Sequence, residues 1–451
     1  MNERISEIIN VRNEPPIARV IRPFQEFLRK GEAGGIVLII CTVLALAWAN
    51  SPWSGSYLAM LETHFTIGVE SFNLTKSLLH WINDGLMALF FFFVGLEIKR
   101  EVLAGELASL RKAALPIAGA LGGMIVPALI YVLFNAGGPG APGWGIPMAT
   151  DIAFALGILG LLGRRIPLAL TVFLAALAIA DDLGAVVVIA VFYTSQIAWG
   201  SLALAGGVLL LLMIANRAGV RVPLVYVLLG IVVWIAVLKS GVHATIAGVL
   251  VAMTIPARSR INPAQFKKRS RLLLDEFERN EITLNEKDRP DDQDAVIHAL
   301  EIMCEQVQTP LGRMEHALYG WVSFFIMPVF ALANAGVVFS GDPVAAITSP
   351  VAVGIFLGLV LGKTVGITLF SWAAVRMGIA SLPESVSWRH LAGAATLGGI
   401  GFTMSLFITG LALTDPQQVL SAKVGILSAS VIAGIIGWLI LRRGPEISTD
   451  Q

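Results

Sequence analysis

The stretch AALAIADDLG, residues 175–184, places two adjacent carboxylates in an apolar segment that runs from residue 167 to residue 194. Such a segment can cross a bilayer, which requires about 20 predominantly apolar residues. A single charged side chain at the membrane centre costs roughly 2.5–3.5 kcal/mol, even on the scale derived from insertion experiments. Asp181 and Asp182 therefore predict a site for an ion or a proton. The alternative is a structural pair held by a salt bridge.

The composition is that of an integral membrane protein. Of the 451 residues, 56% are hydrophobic and 14% are charged, whereas soluble domains carry about 25% charged residues. The 45 glycines suit helices that pack closely within a membrane. A formal net charge of +1 gives no basic field for a nucleic acid, so we expect the lipid bilayer and no nucleic acid as a partner.

We predict an all-α integral membrane protein with twelve transmembrane helices. The apolar segments have helical lengths and lack the alternation of a membrane barrel. Lys and Arg are concentrated in alternate loops, which places both termini in the cytoplasm. Residues 1–32 and 442–451 are then cytoplasmic tails that flank a membrane domain at 33–441. The predicted spans are 33–50, 78–98, 113–135, 147–163, 167–194, 199–216, 223–238, 241–256, 317–339, 350–375, 391–413 and 420–441.

Two polar insertions interrupt the apolar pattern. Residues 63–76 alternate in part, which predicts an external β-hairpin, with an irregular loop as the alternative. Residues 257–316 form a long cytoplasmic loop that is basic at its start and acidic in its middle, and its length suggests regulation or disorder. Val296, Leu300 and Met303 have helical spacing, which predicts a short helix within this loop.

Spans four and eleven contain residues that favour a break in the helix. Thr150 and Asp151 lie in the sequence PMATDIAFALG of span four. Gly399 and Gly401 lie in the sequence LGGIGFTMS of span eleven, and glycine is a poor helix former. Such spans in both halves of the chain favour two discontinuous helices around a site at the membrane midplane. The alternatives are a partnered Asp151 in an unbroken helix and glycines that serve only close packing.

Lys363 lies near the middle of span ten and requires an anion there. Asp181 or Asp182 is the natural partner, and the alternative is an ammonium group that reaches the membrane surface along its flexible side chain. Neighbouring residues of a helix point about 100° apart. One acid can therefore face Lys363 while the other faces a water-filled cavity.

Four further titratable residues lie in or near predicted spans, and the sequence allows two possible roles for each of them. Glu97 is either a solvated helix end or part of a charge relay. His243 lies near the membrane edge and titrates near neutral pH, although a lone histidine is more often incidental. Glu315 either joins Glu97 in a cluster or caps its own helix. Asp84 is either a packed polar residue or part of an ion path.

Six short motifs follow one another along the chain, namely VGLE (94–97), ATDIAFALG (149–157), DDLG (181–184), KSGVHAT (239–245), ANAG (333–336) and GIGFTMS (399–405). Each is weak alone, and all six in this order are highly specific. With them the chain resembles the NhaA family of bacterial sodium/proton antiporters over nearly the whole membrane region. The resemblance implies inverted repeats and exchange of cytoplasmic Na⁺ or Li⁺ for external H⁺. It also implies a multi-pass protein of the bacterial inner membrane.

The resemblance assigns roles to the residues described above. The residues expected to bind the cation and protons are Asp181, Asp182, Asp151 and Thr150. Asp181 and Asp182 are expected to hold Na⁺. The residues expected to support the site are Lys363, Gly399 and Gly401. The residues expected to take part in a pH response are Glu97, His243 and Glu315.

The resemblance further implies a pH-regulated, electrogenic transporter that forms a homodimer through residues 63–76. It implies neither enzymatic activity nor a cofactor. The chain departs most from the family in its long loop before span nine. One alternative is a transporter of the same architecture for another solute. A second is an intramembrane aspartyl protease in which Asp151 and Asp182 pair, although neither lies in a Gly-x-Gly-Asp pattern.

Overall fold

The computed structural model describes residues 33–69, 72–194, 197–283, 289–338, 343–383 and 385–443. The predicted N-terminal tail lies outside the described residues, and so does the predicted C-terminal tail from residue 444 onward. Part of the acidic middle of the long loop, residues 284–288, is also outside them.

Among the described residues, the first half of the chain consists of helices, their connecting loops and one hairpin. Helix α1 (Ala33–Ala49) meets α2 (Ser54–Glu62) at an angle of 111°. A 3₁₀ helix at Ala141–Met148 precedes α5. The helices after the hairpin are α3 (Leu78–Ala104), α4 (Leu110–Asn135), α5 (Ile152–Leu162), α6 (Leu168–Phe192), α7 (Trp199–Arg217), α8 (Pro223–Leu238) and α9 (Thr245–Thr254).

The hairpin consists of two antiparallel strands, β1 (His64–Val69) and β2 (Phe72–Ser77). His64 pairs with Ser77, at the end where the chain passes from β2 into α3. The alternating residues at 63–76 predicted this element, and the two-stranded sheet confirms it.

The second half of the chain contains eight helices among the described residues. These are α10 (Pro263–Thr283), α11 (Arg289–Val307), α12 (Pro310–Asn334), α13 (Pro343–Thr348), α14 (Pro350–Arg376), α15 (Trp388–Leu397), α16 (Phe402–Ala412) and α17 (Pro416–Arg442). Helices α15 and α16 meet at 47°. Within α14, the π-helical turn Gly358–Gly362 directly precedes Lys363, and such turns occur frequently at functional sites.

Within the described residues, eight helical segments are long and apolar enough to cross a membrane, and one of them is the 3₁₀ helix and α5 taken together (Ala141–Leu162). The number rises to ten if the bent pairs α1–α2 and α15–α16 each form one span. Helices α8 and α9 are shorter apolar helices at the seventh and eighth predicted spans. The all-α membrane architecture is confirmed, whereas the count of twelve spans and the inverted repeats remain predictions.

Helices α4 and α14 pack backbone against backbone, which fixes the position of Lys363. A Cβ atom added to Gly122 would overlap the carbonyl oxygen of Gly366, and one added to Gly366 would overlap the carbonyl oxygen of Gly122. Lys363 lies one turn before Gly366, and its aliphatic chain passes beside Gly123. Small residues allow this close approach of two membrane helices.

The long loop contains a pair of helices, α10 and α11, that pack against each other. Helix α11 includes Val296, Leu300 and Met303, as their spacing predicted, and it is longer than the short helix we expected. Val296 and Met303 are buried. Backbone hydrogen bonds from Arg260 and Ile261 to Gln306 connect the start of the loop to the end of α11.

Candidate functional site

Two interrupted helices cross at the centre of the candidate site. The first is interrupted between the 3₁₀ helix and α5, where Ala149 and Asp151 have extended backbones. The second is interrupted between α15 and α16, at the glycines that follow Leu397. At the crossing, the backbone N–H of Asp151 donates a hydrogen bond of 2.6 Å to the carbonyl oxygen of Ile400. Both interruptions lie in the spans where the sequence favoured them.

Asp151 caps the amino ends of two helices at this crossing. Its Oδ1 accepts a hydrogen bond of 3.1 Å from the backbone N–H of Phe154 in α5. Its Oδ2 accepts from both the backbone N–H and the hydroxyl of Thr403 in α16. Helix amino ends carry a partial positive charge, so one buried carboxylate offsets two of them. Both carboxylate oxygens of Asp151 are thus used in bonds to α5 and α16.

Other polar contacts hold the crossing together. The hydroxyl of Thr150 donates to the carbonyl oxygen of Gly398 at 2.8 Å. The hydroxyl of Ser405 donates to the carbonyl oxygen of Ile146 at 2.9 Å. A Cβ atom on Gly399 would overlap the carbonyl oxygen of Leu359 in α14. The glycine is therefore required by the close approach of the broken segment to α14.

The sequence reasoning assigned no role to Thr403 and Ser405. Both lie in the GIGFTMS motif, directly after the helix break. The signal that could have found them is the presence of two hydroxyl side chains in an otherwise apolar span beside helix-weakening glycines.

Asp181 and Asp182 lie side by side on α6 and are almost completely buried, at 1% and 2% exposed. The Nζ of Lys363 donates to Asp181 Oδ2 at 2.6 Å, and the lysine itself has no exposed surface. This ion pair connects α6 with α14. Asp181 is one of the two partners considered for Lys363 from the sequence.

Each of these two acids has one oxygen atom that lacks a hydrogen-bond partner. Asp181 Oδ1 and Asp182 Oδ1 are buried and unpartnered within the part of the chain that the structure describes. Buried polar atoms almost always have a partner, which can be water or an ion. Asp182 also experiences the charges of Glu97 and Asp151 in addition to that of Asp181. The site therefore concentrates acidic groups around one lysine and leaves two oxygens available.

The three residues predicted to take part in a pH response fall into two groups. Glu315 forms an ion pair with Arg100, and Arg100 and Glu315 both act electrostatically on Glu97. Glu315 thus joins Glu97 in a cluster and does not cap α12, whose N-cap residue is Thr309.

His243 lies apart from that cluster. Its Nε2 is 3.9 Å from Asp84 Oδ1, and its Nδ1 is 2.9 Å from the hydroxyl of Thr245. The backbone carbonyl of Asp84 also accepts a hydrogen bond from the indole of Trp234. Asp84 therefore connects α3 with α8 and with the segment before α9, and both interpretations of its carboxylate remain predictions.

No group of three or more His, Cys, Asp or Glu side chains that could hold a metal ion occurs among the described residues. A cation at Asp181 and Asp182 would have two carboxylates, and the rest of its coordination would come from neutral oxygens. Carboxylate, carbonyl and water oxygens are the ligands that hard cations prefer.

Comparison with known proteins identifies the family. The family Na⁺/H⁺ antiporter 1 matches residues 25–441. The Na(+)/H(+) antiporter NhaA of Oleidesulfovibrio alaskensis is 52% identical over 438 residues, which cover 96% of each chain. The Na(+)/H(+) antiporter NhaA of Koribacter versatilis is 51% identical, over 97% of this chain and 94% of the relative. That of Acidithiobacillus ferrooxidans is 53% identical, over 94% of this chain and 97% of the relative. The resemblance drawn from the motifs is confirmed, and the chain belongs to the Na⁺/H⁺ antiporter 1 family.

Proposed function

We propose that the protein is a secondary active transporter that exchanges cytoplasmic Na⁺ or Li⁺ for external protons. Membership of the Na⁺/H⁺ antiporter 1 family supports this proposal. The observation that carries it is the pair of buried, unpartnered oxygens on Asp181 and Asp182, because an exchanger needs one site that a cation and a proton can both occupy.

The proposed cycle rests on competition at this site. Deprotonated Asp182 binds Na⁺ from the cytoplasm, while Asp181 is held by its ion pair with Lys363. Protons that arrive from outside displace the cation. Thr150 and Asp151 complete the site through their bonds across the broken helices. Movement of one group of helices against the other then alternates access to the site.

We further propose that the exchange is electrogenic and regulated by pH. Electrogenic exchange requires two protons for each monovalent cation. In the proposed cycle Asp182 takes up one proton as the cation leaves, and the Asp181–Lys363 pair takes up the second, so a cycle moves net charge. The cluster of Glu97, Glu315 and Arg100 is the proposed sensor, with His243 as a second titrating group. These groups can respond to pH without contacting the cation.

The proposed setting is the bacterial inner membrane, with both termini in the cytoplasm. Residues 33–441 form the transporter domain, and the excess of Lys and Arg in alternate loops supports this orientation. We propose a homodimer joined through β1 and β2. A two-stranded sheet has unpaired edges that a second copy of the chain can extend.

The test uses everted membrane vesicles with a dye that reports the pH gradient. Addition of Na⁺ or Li⁺ should discharge the gradient at neutral and alkaline pH, and K⁺ should not. Little exchange is expected at low pH, because protons then occupy the carboxylates. Asp182→Asn should abolish the response, since the amide cannot exchange a proton for a cation.

The matched control is Asp294→Asn, which changes an exposed acid of α11 in the same way and should leave exchange unchanged. Full exchange by Asp182→Asn would contradict the proposed site. No response of the unchanged protein to either cation at any pH would contradict the proposed function and favour another solute.

A further inference from the structure

A strongly basic segment follows the membrane helix α9. Residues 255–274 contain six basic side chains and no Asp or Glu. We call residues 255–274 the basic segment. Its charged residues are Arg258, Arg260, Lys267, Lys268, Arg269 and Arg271.

Several bonds hold the start of the basic segment at the end of α9. The ammonium group of Lys99 in α3 donates to the carbonyl oxygen of Ile255 at 2.5 Å. The backbone N–H groups of Arg260 and Ile261 donate to the carbonyl oxygen of Gln306 at 2.9 and 3.3 Å. Since α9 is an apolar helix that ends at Thr254, these bonds keep residues 255–261 beside the end of that helix.

Helix α10, which contains most of the basic segment, has one face packed on α11. Phe266, Ser270, Leu273 and Phe277 are half-buried and have the i, i+4, i+7, i+11 spacing of a single helical stripe. This stripe accounts for the contact between the two helices. The opposite face of α10 is left uncovered by α11.

The uncovered face combines basic and apolar side chains. Lys267, Lys268 and Arg271 lie on it at steps of about 100° per residue. Leu272 and Leu274 border this face on opposite sides, about 160° apart around the helix, and are 59% and 51% exposed. The exposed Asp275 lies between Arg271 and Lys268 on the same face.

The basic side chains at the start of α10 are exposed and can meet an anion from outside the helix. Lys267, Lys268, Arg269 and Arg271 take part in none of the ion pairs between described residues. They occupy the first half of α10, where the helix amino end already carries a partial positive charge. Both effects raise the energy of the helix in isolation, and a surface of negative charge would offset them.

We propose that the basic segment binds the anionic lipid headgroups of the membrane that α9 enters, through the exposed Lys267, Lys268 and Arg271. Clusters of four to eight Lys or Arg next to a membrane helix have the charge that such headgroups attract. The partner is a lipid surface, because Lys99 at the end of the apolar helix α3 holds the start of the segment where α9 ends.

The test uses the full chain in nanodiscs, with Leu274→Cys as the labelling site and the native cysteines at 41 and 304 replaced by serine. An environment-sensitive dye is attached at position 274. Its emission should shift to the blue when phosphatidylglycerol is mixed with the phosphatidylcholine of the disc. About 1 M KCl should reverse the shift, because charges are then screened beyond about 3 Å.

A variant with glutamine at 267, 268, 269 and 271 should lose the shift, with the bound population falling about fivefold for each charge removed. The matched control is Lys267→Arg together with Lys268→Arg, which keeps the charge and should keep the shift. Equal emission in both lipid mixtures would overturn the proposal, and so would a shift in the glutamine variant or displacement by inorganic phosphate. None of these readouts depends on ion transport.

Discussion

The two adjacent carboxylates on α6 have different surroundings. Asp181 is held by Lys363, whose ammonium lies 2.6 Å from its Oδ2. Asp182 has no such ion pair among the described residues, and one of its oxygens is buried without a partner. The residue order Asp-Asp therefore supplies one acid with a fixed countercharge and one acid that can exchange its ligand.

The Asp181–Lys363 pair gives a prediction about stability. Lys363→Met leaves Asp181 buried without a countercharge, and breaking a buried pair in this way costs roughly 3–5 kcal/mol. The purified protein should therefore unfold at a lower temperature, measured by tryptophan fluorescence. Adding Asp181→Asn removes the second charge and should restore most of the loss.

The exposed pair between Lys112 and Glu106 provides the control for this experiment. Lys112→Met should change stability by less than about 1 kcal/mol, because solvent screens an exposed pair. If the double variant at 363 and 181 were as unstable as the single variant, the ion pair would not be the source of the loss.

At the scale of elements, the site is formed where two helix interruptions meet. The backbone bond between Asp151 and Ile400 and the side-chain bond between Thr150 and Gly398 connect the two interruptions directly. Gly399 allows the second interruption to lie against α14. The crossing depends on backbone shape as much as on charge.

Gly399→Ala tests this dependence. The added methyl group would overlap the carbonyl oxygen of Leu359, so the crossing must shift and exchange should fall at least tenfold, about 1.4 kcal/mol in the barrier. The measurement is the initial rate of Na⁺-driven pH change in vesicles that contain equal amounts of protein.

Gly410→Ala is the matched control, because the same methyl group in α16 would meet no atom within 4 Å. It should leave exchange unchanged and should stabilise the helix slightly, since alanine favours helices over glycine by about 1 kcal/mol. Equal rates for both alanine variants would show that the close approach of Gly399 is not required.

The helices and strands that the sequence predicts are those marked by a local sequence signal. The hairpin was recognisable from its alternating residues, and the helix breaks from glycines and an aspartate in apolar spans. The sequence predicts one span at 33–50 and does not predict α2, because the nine residues of α2 are too few to show a helical apolar pattern. Asn50, Ser51 and Pro52 are the local signal for the turn of 111° before it. Helix α10 was missed because its buried stripe is narrow and its remaining surface is highly charged.

At the scale of the whole molecule, one ion pair connects the ends of two distant segments. Arg100 in α3 and Glu315 in α12 are 215 positions apart in sequence. No local pattern could predict their contact, because the fold alone brings them together. The pair lies beside Glu97, which acts electrostatically on Asp182. A charge change at the end of α12 can therefore reach the cation site.

Glu315→Gln should change the pH dependence of exchange. The substitution removes one negative charge and leaves the positive charge of Arg100 beside Glu97. Protons then leave the neighbouring acids more readily, so exchange should begin at a lower pH than in the unchanged protein. The measurement is the rate of Na⁺-driven exchange across a pH series.

Glu305→Gln is the control, because Glu305 forms a similar ion pair with Arg313 but is exposed. Its pH profile should match that of the unchanged protein. An unaltered profile for Glu315→Gln would exclude this cluster as the sensor.

The contact between Gly122 and Gly366 limits how the molecule can move. At these two glycines no side chain separates α4 from α14, so the carbonyl of each glycine lies against the backbone of the other helix and prevents sliding. Lys363 must then travel with α4 as part of one rigid body. We therefore expect the hinges of the proposed cycle elsewhere, at the two helix interruptions and at two further π-helical turns, Trp81–Leu86 in α3 and Val322–Ile326 in α12.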